Sequence, residues 1–117
     1  MGLQIFGTKK CPVTRKAERF FKERDIGYQF IDLSDKGISP GELASVAAAL
    51  GKDALIDLSS ARAKKRGLAY MDFDAQAEIL ADPLLLRTPV LRNGREAAIG
   101  DDAEAWEAFA QKLKQKP

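Results

Sequence analysis

The sequence predicts an α/β fold in which one mixed sheet carries helices on its faces, and three observations support this prediction. A strand-like, a helical and a second strand-like segment follow one another within the first 33 residues. This spacing suits a right-handed parallel βαβ unit. A hairpin signal, Asn93-Gly94, stands near the other end of the chain. The segment between them, about residues 37–84, has mainly helical character.

The βαβ unit is visible in the apolar pattern. The stretch "LQIFG", Leu3 to Gly7, alternates apolar and polar residues and predicts a short buried strand. After Pro12 the apolar residues recur with helical spacing through Phe21. The stretch "YQFIDL", Tyr28 to Leu33, is rich in aromatic and β-branched residues and predicts the second strand.

The middle of the chain contains helix start and stop signals. Ser39 begins a capping box with proline at the first helical position, and Gly51 is a suitable C-terminal stop. Residues 54–68 are expected to be part helix and part loop. Asp74 is expected to cap a short helix that runs through Leu80.

The chain ends with a β-hairpin and a helix. Residues 88–100 form two short strands around Asn93-Gly94, and Asp101 is expected to cap the last helix. Trp106 and Phe109 lie at helical spacing and are expected in the core. The order βαβ, helical insert, ββα outlines a thioredoxin-like fold of one domain, residues 1–117, with a four-stranded mixed sheet. The insert, about 37–84, separates strands two and three.

Composition limits the possible functions. The chain has 117 residues, a net charge of +2, one cysteine and no histidine. The lack of histidine removes Cys-His catalysis and most zinc sites, so no metal site is expected. A lone cysteine cannot form an internal disulfide, which fits a reducing cytoplasm. The small net charge gives no indication of a nucleic-acid partner. No apolar run approaches the ~20 residues that a membrane-spanning helix needs, so no membrane partner is expected.

The single cysteine, Cys11, stands directly before Pro12 at the start of a predicted helix. Free N–H groups and the helix dipole favour a thiolate there, and such cysteines have pKa values lowered from about 8.5 to roughly 3.5–7.5. Arg15 lies one turn further on, where it can approach the sulfur or bind an oxyanion or carboxylate. Lys10 adds positive charge. The alternative is that Cys11 is a small buried hydrophobe and Arg15 a solvated charge.

The residues around Cys11 also resemble known families. "CPVTRKAERFFKERDIGYQFIDL" is similar to the first βαβ unit of glutaredoxins, with Thr14 in the place of the second cysteine of C-x-x-C. Cys11 and Arg15 form the C-x-x-x-R pattern of the arsenate reductase (ArsC)/Spx family. The resemblance extends from Leu3 to about Leu113 and implies a thioredoxin fold with a helical insert.

Two further stretches carry the resemblance. "SARAKK" resembles a Ser-Thr-Arg-Ser-Lys stretch of the Spx branch, so Arg62 would match its arginine. "DPLLLRTPVLRNGREAAIGDDAEAW" resembles the family's Leu-Leu-Arg-Arg-Pro region. Family arsenate reductases carry arginine directly before the proline, where this chain has Thr88, and Arg87 stands one residue early. The likeness of Thr88-Pro89 to glutaredoxin implies a cis bond and a Thr88 backbone open to a peptide-like substrate. The alternative is a trans-proline that starts an edge strand.

The resemblance implies catalytic roles for Cys11 and Arg15. The substrate-binding residues that it implies are Lys10, Thr14, Arg62, Arg87, Thr88 and Pro89. The first functional hypothesis is a thiol oxidoreductase whose mixed disulfide is resolved by glutathione or by a glutaredoxin- or thioredoxin-type protein. Arsenate reduction is a special case. The alternatives are an Spx-like regulatory or accessory protein that binds RNA polymerase or another protein, and a scaffold with an inert thiol.

Overall fold

The computed structural model describes residues 2–114, and its centre is a four-stranded mixed sheet with strand order β2-β1-β3-β4. The strands are β1 (Leu3–Gly7), β2 (Tyr28–Asp32), β3 (Val90–Asn93) and β4 (Glu96–Ile99). β1 pairs with β2 in parallel, whereas the β1–β3 and β3–β4 pairs are antiparallel. The predicted parallel unit and the predicted hairpin are therefore joined through β1 and β3.

Helices lie before, within and after the insert. The α-helices are α1 (Pro12–Glu23), α2 (Pro40–Leu50), α3 (Ala61–Lys65), α4 (Ala75–Ala81) and α5 (Ala103–Lys114). Short 3₁₀ turns follow α2, α3 and α4. The element order and the sheet confirm the predicted thioredoxin-like fold, with α2 to α4 as the insert between β2 and β3. No helix within residues 2–114 is both long and apolar enough to cross a membrane.

The sheet separates two hydrophobic cores. Because side chains alternate along a strand, Leu3 and Ile5 of β1 pack on one face, with Phe21 of α1 and Trp106 of α5. Phe6 of β1 belongs to the other core, which the insert helices cover. Each of these five side chains is almost fully buried, and such burial is worth about 1.5–3 kcal/mol per large apolar side chain.

Local capping signals explain where the insert helices begin. The Ser39 hydroxyl accepts a hydrogen bond from the Glu42 N–H at 3.2 Å, and the Glu42 carboxylate accepts one from the Ser39 N–H at 3.1 Å. Asp74 caps α4 by accepting from the N–H groups of Gln76 and Ala77. Both predicted caps are confirmed, as is the mixed helix and loop character of residues 54–68.

The cap of α5 lies one residue later than predicted. The Asp102 carboxylate accepts a hydrogen bond from the Ala105 N–H at 3.1 Å, so Asp102 is the capping residue. Asp101 instead forms an ion pair with Lys16 at 3.1 Å. Two adjacent aspartates offer the same capping chemistry, and the helix begins directly after the second of them.

The hairpin turn is also shifted by one residue. Asn93 pairs with Glu96, so the two loop residues are Gly94 and Arg95 rather than Asn93 and Gly94. Gly94 has a φ of 64°, while Arg95 has a negative φ. A two-residue hairpin turn with glycine first and one positive φ is of type II′. The turn therefore needs its glycine at the first position, which the Asn-Gly signal does not specify.

Candidate active site

Cys11 is the N-cap residue of α1. Its backbone is extended, with φ −80° and ψ 116°, and Pro12 takes the first helical position. Proline suits this position because its ring fixes a helical φ and no N–H is needed there. The Cys11 N–H donates to the Thr8 carbonyl at 3.2 Å, which closes the turn between β1 and α1. The thiol is thus held half-buried at the N-terminus of α1, where backbone N–H groups lack helical partners.

Thr88 lies directly beside this sulfur. Its hydroxyl donates a hydrogen bond to Cys11 Sγ, with 3.1 Å between Oγ1 and Sγ. β1 and β3 pair antiparallel, with Phe6 opposite Val90, so the residues that precede β3 meet those that follow β1. The Thr88–Pro89 peptide bond is cis, which confirms the sequence prediction.

Thr14 approaches the cysteine from within the protein. Its side chain is fully buried, and its Oγ1 has no hydrogen-bond partner of regular geometry among residues 2–114. It packs on Gly7 so closely that a Cβ added at Gly7 would lie 2.5 Å from both Cγ2 and Oγ1 of Thr14. Only glycine at the end of β1 therefore lets α1 take this position.

Hydroxyl and amide donors hold the pKa of Cys11 below its ordinary value. Burial raises the pKa of the Cys11 thiol, but hydrogen bonding from the side chains of Thr14 and Thr88 and from the N–H groups of Thr14 and Val13 lowers it by more. The Thr14 hydroxyl acts at short range on the sulfur, although its geometry falls short of a regular hydrogen bond. The predicted influence of Arg15 is not among the causes of this shift.

The predicted cations near the cysteine are exposed. Lys10 precedes α1 and Arg15 lies on its outer face. Neither forms an ion pair with a carboxylate of residues 2–114. Both are therefore available to an anionic group that approaches Cys11.

The other two predicted arginines are engaged elsewhere. Arg62, in α3, forms an ion pair with Asp82, with 3.1 Å between Nη1 and Oδ2. Arg87 is exposed, its N–H donates to the Leu55 carbonyl at 2.7 Å, and its Cδ would lie 3.9 Å from a Cβ at Gly100. The structure thus brings together Cys11, Thr14, Thr88 and Pro89, and it gives Arg62 a carboxylate partner of its own.

Sequence reasoning missed two features of this site. It assigned a role to the backbone of Thr88 but not to its hydroxyl, which contacts a sulfur 77 residues away in sequence. It also overlooked Gly7, because a glycine at the end of a strand does not by itself show that a helix approaches it closely. A glycine four residues before a cysteine at a helix start is the signal that could have suggested such packing.

The fold and the site define a class of protein: a thioredoxin-like protein with a single cysteine at the N-terminus of its first helix. The model of the ArsC family matches residues 6–109 of the chain. The chain therefore belongs to the ArsC family, as the C-x-x-x-R pattern predicted.

Solved structures with the same fold agree in length and shape. A YFFB protein is 25% identical over 92% of this chain and 98% of its own, with a TM-score of 0.83. An ArsC-related protein from Brucella melitensis is 23% identical, covering 93% and 94% of the two chains, with a TM-score of 0.69. An arsenate reductase from Vibrio cholerae is 20% identical, covering 93% and 98%, with a TM-score of 0.81. The last two likenesses show the fold alone. No curated protein matches the chain in sequence.

Proposed function

We propose that this ArsC-family protein is a thiol oxidoreductase that uses Cys11 as its only nucleophile. The observation that carries the proposal is the half-buried Cys11 sulfur at the N-terminus of α1, whose pKa is lowered by the hydroxyl and amide donors around it. A thiolate, rather than a thiol, is the nucleophile in disulfide exchange.

The reaction has two exchange steps. The Cys11 thiolate attacks one sulfur of a substrate disulfide, a new S–S bond forms to Cys11, and the other sulfur leaves as a thiolate that takes up a proton. A second thiolate then attacks the substrate sulfur of this mixed disulfide, which releases Cys11 as a thiolate and yields a new disulfide. This chain has one cysteine, so the second thiol comes from glutathione or from a glutaredoxin- or thioredoxin-type protein.

The backbone of Thr88 supports a peptide-like substrate such as glutathione. Within residues 2–114, neither the N–H nor the C=O of Thr88 makes a main-chain hydrogen bond. Both groups can therefore pair with the backbone of an extended peptide next to the Cys11 sulfur. Pro89 and Thr88 would in this way frame the substrate on the side of β3.

Arg15 and Lys10 supply the charge for an anionic substrate. Glutathione carries two carboxylates, and a guanidinium can bind a carboxylate through two parallel hydrogen bonds. Both cations are exposed and without an ion-pair partner in the described part of the chain. In this proposal Arg15 orients the substrate and does not set the charge of the sulfur.

Arsenate reduction is a second candidate, which family membership favours. Arsenic(V) would accept two electrons from two thiols, Cys11 and an external one, which together become a disulfide while arsenite is released. The residue before the proline is Thr88, and Arg62 is paired with Asp82, so Arg15 is the arginine best placed to bind the oxyanion. Arg87 is exposed and could contribute a second positive charge.

The proposal is tested by intact-mass measurement after the reduced protein is mixed with oxidised glutathione. We expect one glutathione per chain, on Cys11, and its removal by free glutathione or by glutaredoxin. Parallel reactions with arsenate, glutathione and glutaredoxin measure arsenite formation. A protein that forms no adduct and no arsenite, but that retains RNA polymerase on an affinity column, would refute the enzyme and support the Spx-like alternative.

A further inference from the structure

We propose that Thr14 and Thr88 form a hydroxyl cradle that holds the Cys11 sulfur as a thiolate from two sides. The inference concerns the same sulfur as the proposed function and rests on it to that extent. It assigns positioning roles to two neutral side chains. The hydroxyl cradle is defined by the two Oγ1 atoms, one buried in α1 and one in the loop before β3.

The Thr88 side of the hydroxyl cradle is a direct contact. Its O–H donates to Cys11 Sγ over 3.1 Å, across 77 residues of sequence. The pairing of β1 with β3 fixes this contact, because Phe6 and Val90 stand opposite each other at the end of the ladder. The hydroxyl thus lies in the loop that leads into β3, two residues before the strand begins.

On the Thr14 side, the hydroxyl cradle would give an acceptor to a buried hydroxyl that otherwise has none. A buried hydroxyl without a partner costs about 1–3 kcal/mol, and Thr14 Oγ1 has no regular partner within residues 2–114. Among the groups that lower the pKa of Cys11, the Thr14 hydroxyl has the largest effect. Thr14 packs against Gly7 and follows Cys11 by three residues in the first turn of α1, so we assign the Cys11 thiolate as the acceptor for its proton.

The hydroxyl cradle differs from a thiolate site built on cations. Neutral donors stabilise a thiolate through short hydrogen bonds, which salt does not screen as it screens the field of an exposed Lys or Arg. The hydroxyls also leave Arg15 and Lys10 uncommitted, so that these cations can bind the substrate. The pKa of Cys11 is therefore expected to depend on both hydroxyls and to change little with ionic strength.

The test measures the pKa of Cys11 by the ultraviolet absorbance of the thiolate in Thr88→Val, Thr14→Val and the double variant. Valine keeps the shape of threonine and removes the donor. Each single variant is expected to raise the pKa of Cys11 by about one pH unit, a tenfold loss of thiolate relative to thiol, and the double variant is expected to raise it further. Thr88→Ser and Thr14→Ser keep the hydroxyl and are expected to stay close to the wild type.

A second measurement needs no variant. The pKa of Cys11 in the wild type is followed from about 0.1 M to 1 M salt, over which the screening length falls from roughly 10 to 3 Å. A pKa that stays constant supports the hydroxyl cradle. A pKa that rises with salt, or that is unchanged in both valine variants, overturns it in favour of cations or of the helix N-terminus alone.

The two proposals fail in different ways. If Cys11 takes up no glutathione while the valine variants raise its pKa, the oxidoreductase is refuted and the hydroxyl cradle stands. If Cys11 takes up glutathione while its pKa is the same in all variants, the hydroxyl cradle is refuted and the oxidoreductase stands.

Discussion

Two groups of positive charge in this molecule look alike in sequence and differ in their surroundings. In the insert, Arg62 pairs with Asp82, and Arg66 pairs with both Asp82 and Glu78. Near the cysteine, Lys10 and Arg15 are exposed and have no ion-pair partner within residues 2–114.

The difference separates structural charges from available ones. A guanidinium that already faces a carboxylate joins two elements of the fold, here α3 and the end of α4. A guanidinium near a nucleophile, with no counterion of its own, can bind an incoming anion. In our proposal Arg15 binds substrate and Arg62 stabilises the fold. Two substitutions test the nucleophile and the packing of the site, and two test the contrast between these arginines.

Removal of the nucleophile has the largest expected effect. Cys11→Ser replaces the sulfur with an oxygen that does not exchange with disulfides, so we expect complete loss of the glutathione adduct. Intact-mass measurement gives the result directly. An adduct that persists in this variant would show that the mass change arises at another residue and that Cys11 is not the nucleophile.

The packing under the cysteine gives the next largest effect. Gly7→Ala places a methyl group 2.5 Å from two atoms of Thr14, and overpacking of this kind costs about 1–3 kcal/mol. Gly27→Ala is the matched control, because a Cβ at Gly27 meets nothing within 4 Å. Denaturant unfolding compares the two variants. Equal free energies of unfolding would mean that α1 does not approach β1 as described.

Arg15→Ala tests the available charge. Loss of one exposed charge-assisted contact is expected to cost about 1 kcal/mol, so the reaction with anionic oxidised glutathione should slow about fivefold. The reaction with the uncharged disulfide of 2-mercaptoethanol should keep its rate, because the causes of the lowered pKa of Cys11 do not include Arg15. Equal slowing with both disulfides would contradict a substrate-binding role and point to an effect on the thiolate.

Arg62→Ala tests the structural charge and has the smallest expected effect. Its ion pair with Asp82 is partly exposed, and such pairs contribute about 0.2–1 kcal/mol to the free energy of unfolding. We expect a loss of stability of that size and an unchanged rate of Cys11 with oxidised glutathione. A slower reaction of Cys11 in this variant would show that Arg62 contributes to the active site, as the resemblance to the Spx branch implied.

Local patterns predicted most of the fold. The period of the apolar residues gave α1 and the strands, and the capping signals at Ser39 and Asp74 gave the starts of α2 and α4. The errors at Asp101 and at the hairpin turn are shifts of one residue. In each case two neighbouring residues satisfy the same local rule, and the sequence pattern alone does not choose between them.

The site was less predictable because it is assembled from distant segments. Cys11 at a helix N-terminus is a local feature, and it was predicted. The contact between Thr88 and Cys11 and the contact between Thr14 and Gly7 depend on how β1, α1 and β3 meet. Likewise, no local pattern shows that Asp82 lies against Arg62 from 20 residues away.

The most direct test of the account is the pH dependence of Cys11 alkylation by iodoacetamide in the wild-type protein. Because the thiolate is the reactive form, the rate rises as the pH passes upward through the pKa of Cys11. The lowered pKa predicts a midpoint below the pKa of an unperturbed cysteine thiol. A midpoint at or above that value would show that Cys11 is an ordinary thiol and would contradict the account.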